Sequence, residues 1–352
     1  MDKRLEKLTY WVHQHPGLEH AHLSPVSGDA SFRRYFRASQ KDSHGKETTV
    51  IAMDAPPEKE DCRPFVAIAR HWRENGIAVP DILAEDLDQG FLLLEDFGDQ
   101  LMLGRMNGIT ADDLYHGALE ELLKIQQLPE NPDYTLPAYD EALLDREMNL
   151  FPEWLLEGLL QMKLSTDEWS MLETTFAFLK ESALAQPTVT VHRDYHSRNL
   201  LVRPGTRAPG IVDFQDAVRG PVTYDVASLL KDCYIEWPPG RRNGWLEDFR
   251  VMSFEAGLHK ADSDTFQQWF DLMGMQRHLK AAGIFARLSL RDDKHGYLAD
   301  IPRTVHYLVE ASEPLPALRS FHEWLRDEVV PEIHHKLATR SEDDGYVQRP
   351  PE

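Results

Sequence analysis

His192-Arg193-Asp194-Tyr195-His196-Ser197-Arg198-Asn199, then a short apolar run, then Ile211-Val212-Asp213-Phe214, is the stretch that decides how this chain is read. Thr188 to Val191 is β-branched and is expected to form the strand that delivers the loop. Leu200 to Arg203 should leave the loop as a second strand. Pro204-Gly205-Thr206 turns the chain, and Gly210 to Val212 brings it back. That hairpin places Asn199 and Asp213 at the same end of adjacent strands. Their oxygen-bearing side chains suit a hard cation such as Mg²⁺, with ligand oxygens completing the shell.

An Asp, an Asn five residues later and a second Asp beyond the next hairpin is the order found in phosphoryl-transfer centres of kinase-like folds. In that order Asp194 orients the acceptor hydroxyl and takes its proton, while Asn199 and Asp213 hold metal. Each residue type is common in loops, so the strand context and the downstream Asp give the motif its weight. The expectation is an ATP-dependent phosphotransferase.

Composition narrows the class. The chain has 352 residues, enough for two lobes with their own cores. No apolar run approaches the ~20 residues of a membrane span, and Met1 to Lys7 lacks the apolar core of a signal peptide. Two cysteines, Cys62 and Cys233, argue against a disulfide framework and fit a reducing cytoplasm. A formal net charge of −21 disfavours nucleic-acid binding through phosphate contacts. No membrane contact and no obligate protein partner is expected. The histidines, His334-His335 included, show no metal spacing, so zinc is not expected.

The chain divides in character near residue 95. An opening helix carries Leu5, Leu8, Trp11 and Val12 on one face, ending before Pro16-Gly17. Ser31 to Ala38 and Thr48 to Met53 read as strands, and Pro64 opens a helix with Phe65, Ile68, Ala69 and Trp72 at helical spacing. Ile82 to Ala84 and Phe91 to Leu94 read as a hairpin around Asp88-Gln89-Gly90. After Gly98 the pattern is helical. Helices are expected from Thr110, over Asp140 to Leu160 with a break at Pro152, and from Ser165 to Ala185. Others are expected over Val222 to Ile235, Leu246 to Gly257, Asp262 to Met273, Met275 to Arg291 and Ala317 to Lys336. The fold class is therefore α+β, with a small β-rich N-terminal nucleotide lobe (1–95), a larger helical catalytic and substrate lobe (96–340) and a polar tail (341–352) expected to be disordered.

Over residues 20 to 330 the chain resembles the aminoglycoside phosphotransferase and choline kinase superfamily, which has a bilobal protein-kinase-like fold. The catalytic run carries that likeness, with Asp213-Phe214-Gln215-Asp216-Ala217 and Gly220-Pro221-Val222-Thr223-Tyr224-Asp225. Within it, the chain is most similar to bacterial anomeric kinases of N-acetylmuramate and N-acetylglucosamine. Gly28-Asp29-Ala30-Ser31-Phe32-Arg33-Arg34-Tyr35-Phe36, Met53-Asp54-Ala55-Pro56-Pro57, Gln276 to Lys280, Gly283 to Leu288 and Tyr297 to Arg303 point there. The resemblance implies transfer of the ATP γ-phosphoryl group to the C1 hydroxyl of an N-acetylated sugar, with Mg²⁺, feeding cell-wall sugar recycling. It also implies that Asp225 braces the catalytic loop.

Two departures matter. No Gly-x-Gly-x-x-Gly covers the phosphates; the corresponding turn is Ser27-Gly28-Asp29-Ala30-Ser31, where Gly28 and Ser31 are the expected backbone contacts. The strand position that usually supplies a phosphate-binding Lys is Met53 in Val50-Ile51-Ala52-Met53. An Arg from Arg33-Arg34, chiefly Arg34, is the expected substitute. The backbone between Glu95 and Phe97 is expected to face an adenine edge. For the sugar, candidates are Arg146 and Glu147, Arg193 of the loop, and Arg277, His278 and Lys280 of a later helix; Arg suits a lactyl carboxylate. Rival readings are a kinase of an aminoglycoside, choline or homoserine, and a non-catalytic nucleotide-binding regulator. A protein kinase is disfavoured, because no Asp-Phe-Gly or Ala-Pro-Glu segment follows Asp213.

Overall fold

The Thr48-Thr49-Val50-Ile51 run, too crowded at Cβ for a comfortable helix, is the centre of a five-stranded antiparallel sheet in the computed structural model. The structure describes residues 2–26, 32–41, 45 and 47–343. The expected contacts at Gly28 and Ser31 and most of the tail lie outside them. Two compact units are present, one formed by residues 1–137 with 197–217 and the other by 138–196 with 218–352.

In the first unit, strands β1 (His22–Pro25), β2 (Arg34–Lys41), β3 (Glu47–Asp54), β4 (Ile82–Asp86) and β5 (Phe91–Glu95) run in the order β1-β2-β3-β5-β4. Alternation sends Phe36, Ala38, Val50, Ala52, Phe91 and Leu93 into one buried cluster with Leu8 and Val12 of helix α1 (Lys3–Val12). The β2–β3 register sets Arg34 opposite Asp54. Helix α2 (Arg63–Glu74) buries Phe65, Ile68 and Trp72, and helix α3 (Ala111–Gln126) buries Ala118, Leu122 and Ile125.

The same unit takes in the hairpin of Leu200–Leu201 with Gly210–Ile211. The Ile211 N–H donates to the Ala78 carbonyl (2.8 Å) and the Met102 N–H to the Leu200 carbonyl (2.7 Å). Phe214 packs between Phe65 and Trp72, with ring centroids 4.8 and 5.6 Å away. Gly210 is required by its neighbour, since a Cβ there would lie 2.5 Å from the Phe97 ring.

The second unit joins Thr188–Val191 to Val218–Pro221 as an antiparallel pair among helices. Helices α4 (Glu141–Met148), α5 (Thr166–Leu184), α6 (Tyr224–Leu230), α7 (Pro239–Glu255), α8 (Ser263–Asp292) and α9 (Ile301–Ser312) follow in order. Ser165 and Glu168 cap α5 reciprocally, as their spacing predicts. At Pro152, where a break is expected, the chain continues as a π-helix over Phe151–Leu159. Three sequence expectations are corrected. The two helices expected around Gly274 are one α8, because Gly274 leaves room for the Lys231 side chain, 3.2 Å from where a Cβ would stand. Helix α6 ends at Leu230 rather than Ile235, and α7 begins at Pro239 rather than Leu246.

Helix α8 packs against α4, the π-helix, α5, α6 and α9. Gln276, Lys280 and Gly283 recur on one face of it, and Gly283 abuts the backbone of Leu150 so closely that a Cβ would stand 2.3 Å from its carbonyl.

Candidate active site

The loop after Thr188–Val191 is pinned by a single buried carboxylate. Asp225, in the first turn of α6, accepts the backbone N–H of His192 (2.7 Å) and of Arg193 (3.0 Å), the bracing contact expected of it. Burial pushes the Asp225 carboxyl up to about 7, against those two donors, which favour the ionised form. The Asp194 N–H in turn donates to His192 Nδ1 (3.2 Å), so the fully buried His192 supports the loop. Arg193 sits at φ +75°, a left-handed conformation that side chains seldom adopt.

Around the loop the second unit gathers a buried charge cluster. The Glu147 carboxylate, at the end of α4, receives the Tyr139 hydroxyl (2.5 Å), Arg193 Nη2 (2.5 Å), Lys280 Nζ (3.2 Å) and Gln276 Nε2 (3.2 Å). Lys280 also donates to the Tyr224 hydroxyl at 3.2 Å. Burial opposes the charge of Glu147, but Lys280, Arg193 and the hydrogen bonds hold its carboxyl below the usual range. Burial likewise opposes the charge of Asp194; Lys280, His196, Arg193 and His192 outweigh it and hold that carboxyl at about 2. Asp194 is therefore an anion at neutral pH, suited to accepting a hydrogen bond from a hydroxyl and its proton late in a reaction.

In the first unit the hairpin brings Asn199 and Asp213 together. The Val212 N–H donates to the Asn199 carbonyl (3.1 Å), and Asn199 Nδ2 lies 3.3 Å from Asp213 Oδ2. Asp213 adopts φ +65°, which Asp tolerates better than most residues. Gln215 donates to its Oδ1 at 2.9 Å. Two adjacent oxygen-bearing side chains fit a hard divalent cation. No group of three His, Cys, Asp or Glu side chains that could hold a metal occurs among the described residues, so ligand oxygens would have to complete such a shell.

The expected nucleotide residues sort differently. Arg34 is committed to Asp54 (Nη2, 2.5 Å) and to Asp2, so it ties the start of α1 to the end of the β2–β3 pair. Asp54 is fully buried and also takes Arg4, a structural role that the sequence did not announce. Its neighbour Arg33 instead reaches toward the hairpin, with Nη2 3.8 Å from Asp213 Oδ1 and Nη1 3.8 Å from Glu60. The Glu95 side chain pairs with Arg73 (3.0 Å), and the Phe97 ring lies against Gly210 with Arg203 over its face.

Of the expected sugar residues, Glu147, Arg193 and Lys280 converge in one cluster. Arg277 instead donates to Cys233 Sγ (3.4 Å), and His278 bonds the Lys231 carbonyl (2.8 Å) while stacking on Tyr307. Arg146 is exposed on α4. Tyr139, Tyr224 and Gln276 belong to the cluster without having been singled out. Only Gln276, one turn before Lys280, carried a signal in its spacing.

The order Asp194, Asn199, Asp213 along the chain, on a loop and on the hairpin that follows it, is that of a phosphotransferase. The chain belongs to the phosphotransferase enzyme family, whose model matches residues 22–263. It is 43% identical over 337 residues to a Pseudomonas putida protein named N-acetylmuramate/N-acetylglucosamine kinase, covering 93% of this chain and 97% of that one. A Pseudomonas aeruginosa protein of the same name is 45% identical, covering 87% of this chain and 88% of its own length. An ethanolamine kinase of Plasmodium vivax, only 12% identical, shares the fold with a TM-score of 0.63 over 90% of this chain and 89% of that one.

Proposed function

We propose that this protein is an ATP-dependent kinase of the anomeric C1 hydroxyl of N-acetylmuramate and N-acetylglucosamine, working in the cytoplasm in cell-wall sugar recycling. The observation that carries the reading is near-full-length likeness at 43% and 45% identity to kinases named for those two sugars, combined with an intact Asp194, Asn199 and Asp213 in this chain.

In this reading Asp194 orients the anomeric hydroxyl and accepts its proton late, since alignment and charge neutralisation dominate a loose phosphoryl-transfer transition state. Asn199 and Asp213 would hold Mg²⁺, which when bound offsets charge on the β- and γ-phosphates. Arg33, beside Asp213, takes the part of the missing strand Lys better than Arg34 does, because Asp54 and Asp2 already engage Arg34. Replacing Arg33 by Ala is therefore expected to raise the KM for ATP about tenfold, a loss of one charge-assisted contact of ~1.4 kcal/mol. Arg34→Ala should instead lower the melting temperature and leave that KM within about twofold. A larger nucleotide effect in Arg34→Ala than in Arg33→Ala would reverse the assignment.

The deciding assay is ADP release with Mg²⁺-ATP against N-acetylmuramate, N-acetylglucosamine, choline, homoserine and kanamycin, with phosphorus NMR on the product. Turnover of the N-acetyl sugars to a C1 phosphate is the expected result. Turnover of another acceptor alone would discard the sugar reading, and ATP binding without any turnover would favour a regulator.

A further inference from the structure

We propose that Glu147 is a positioning residue for the catalytic loop, fixing Arg193 and Lys280 so that Asp194 is held where the acceptor hydroxyl must meet it. This rests on Asp194 being the acceptor-orienting base, and not on which acceptor is used.

Four side chains from three segments converge on one carboxylate that is 4% exposed: Tyr139 before α4, Arg193 of the loop, and Gln276 and Lys280 of α8. A buried acid is normally a cost; here two cations and two neutral donors compensate it fully. The arrangement also explains an awkward residue. Position 193 is left-handed, so glycine would fit its backbone without strain, yet the chain carries an arginine. The guanidinium has a use that repays the conformation: it joins Glu147 at 2.5 Å while the same residue's N–H joins Asp225 at 3.0 Å. Arg193 is thereby held at both backbone and side-chain ends, and Asp194 is its immediate successor.

Lys280 has the second role. Its charge is the largest that favours ionised Asp194, and its ammonium is tied to Glu147 and the Tyr224 hydroxyl. Remove the negative charge of Glu147, and Lys280 and Arg193 share a buried site without their common counter-ion. After Glu147, the carboxylate whose charge both feel is Asp194. Re-pairing with it would drag the base from its working position, and misplacement by about 1 Å costs on the order of 100-fold in rate.

The test uses whichever acceptor the wild type turns over, so failure of the sugar reading leaves it intact. Glu147→Gln is expected to lower kcat ~10- to 100-fold with the KM for ATP unchanged. Adding Lys280→Met to that variant should restore kcat at least about threefold, because the released cation departs with its partner. A double variant as slow as, or slower than, Glu147→Gln would overturn the proposal, since a purely structural cluster only loses more. If Glu147→Gln does not fold, Arg193→Gly decides the matter: it relaxes the backbone and keeps Glu147 paired with Lys280. The proposal expects its kcat to fall ~10-fold at unchanged KM for ATP. A kcat like that of the wild type would overturn it.

Discussion

Asp194→Asn is expected to lower kcat by about three orders of magnitude while Mg²⁺-ATP binding stays within a few-fold of wild type. The substitution keeps the shape of the side chain and removes the charge that accepts the hydroxyl proton. It does not disturb the loop's supports, because Asp225 holds the backbone of His192 and Arg193, and Glu147 holds the Arg193 side chain. The loss should therefore appear in single-turnover chemistry and not in the melting temperature. The carboxyl is held at about 2, so the kcat of the wild type should show no acidic limb from Asp194 above pH ~4. Weak nucleotide binding in the variant would instead assign Asp194 to metal or to structure.

Asp213→Asn should be nearly as severe, with kcat down at least ~100-fold and the Mg²⁺ concentration for half-maximal rate raised at least ~10-fold. Asparagine is the informative replacement because it tolerates the left-handed backbone at φ +65°, where alanine would add strain. The hairpin should survive, since Phe214 remains packed on Phe65 and Trp72. Arg33 then faces an amide and not a carboxylate, so any residual nucleotide binding should depend less on the metal. A metal titration identical to that of the wild type would remove Asp213 from the metal site.

The loop and hairpin that carry these two residues were legible because their signal is local. The β-branched Thr188 to Val191, the Pro204-Gly205 turn and the Asn/Asp spacing specify a loop and hairpin within some twenty-five residues. Helix identity was legible where caps exist, as at Ser165 and Glu168. Gly274 misled because an isolated glycine looks the same in sequence whether it ends a helix or clears space for Lys231. Strand β1 was missed because His22–Pro25 offers a single aliphatic, Leu23, too little for alternation to register. Arg34 and Arg33 are adjacent and chemically identical, so only the β2–β3 register, which pairs Arg34 with Asp54, could separate their roles. The Glu147 cluster was half visible. Its ionic members stood out as charges on two helices and the loop, but Tyr139 joins from outside α4 and Tyr224 from 56 residues before Lys280, and no local period encodes such a meeting.

The first compact unit is discontinuous: it draws on residues 197–217 as well as 1–137. This has a consequence during synthesis. When residue 137 leaves the ribosome, Phe65 and Trp72 still lack Phe214, and the Ala78 carbonyl lacks the Ile211 N–H. About 80 further residues must be made first, which at ~5–20 residues per second is roughly 4–16 s with an aromatic face uncovered. The nascent chain thus has a defined interval of vulnerability, one that a chaperone able to hold exposed aromatic surface would be suited to bridge.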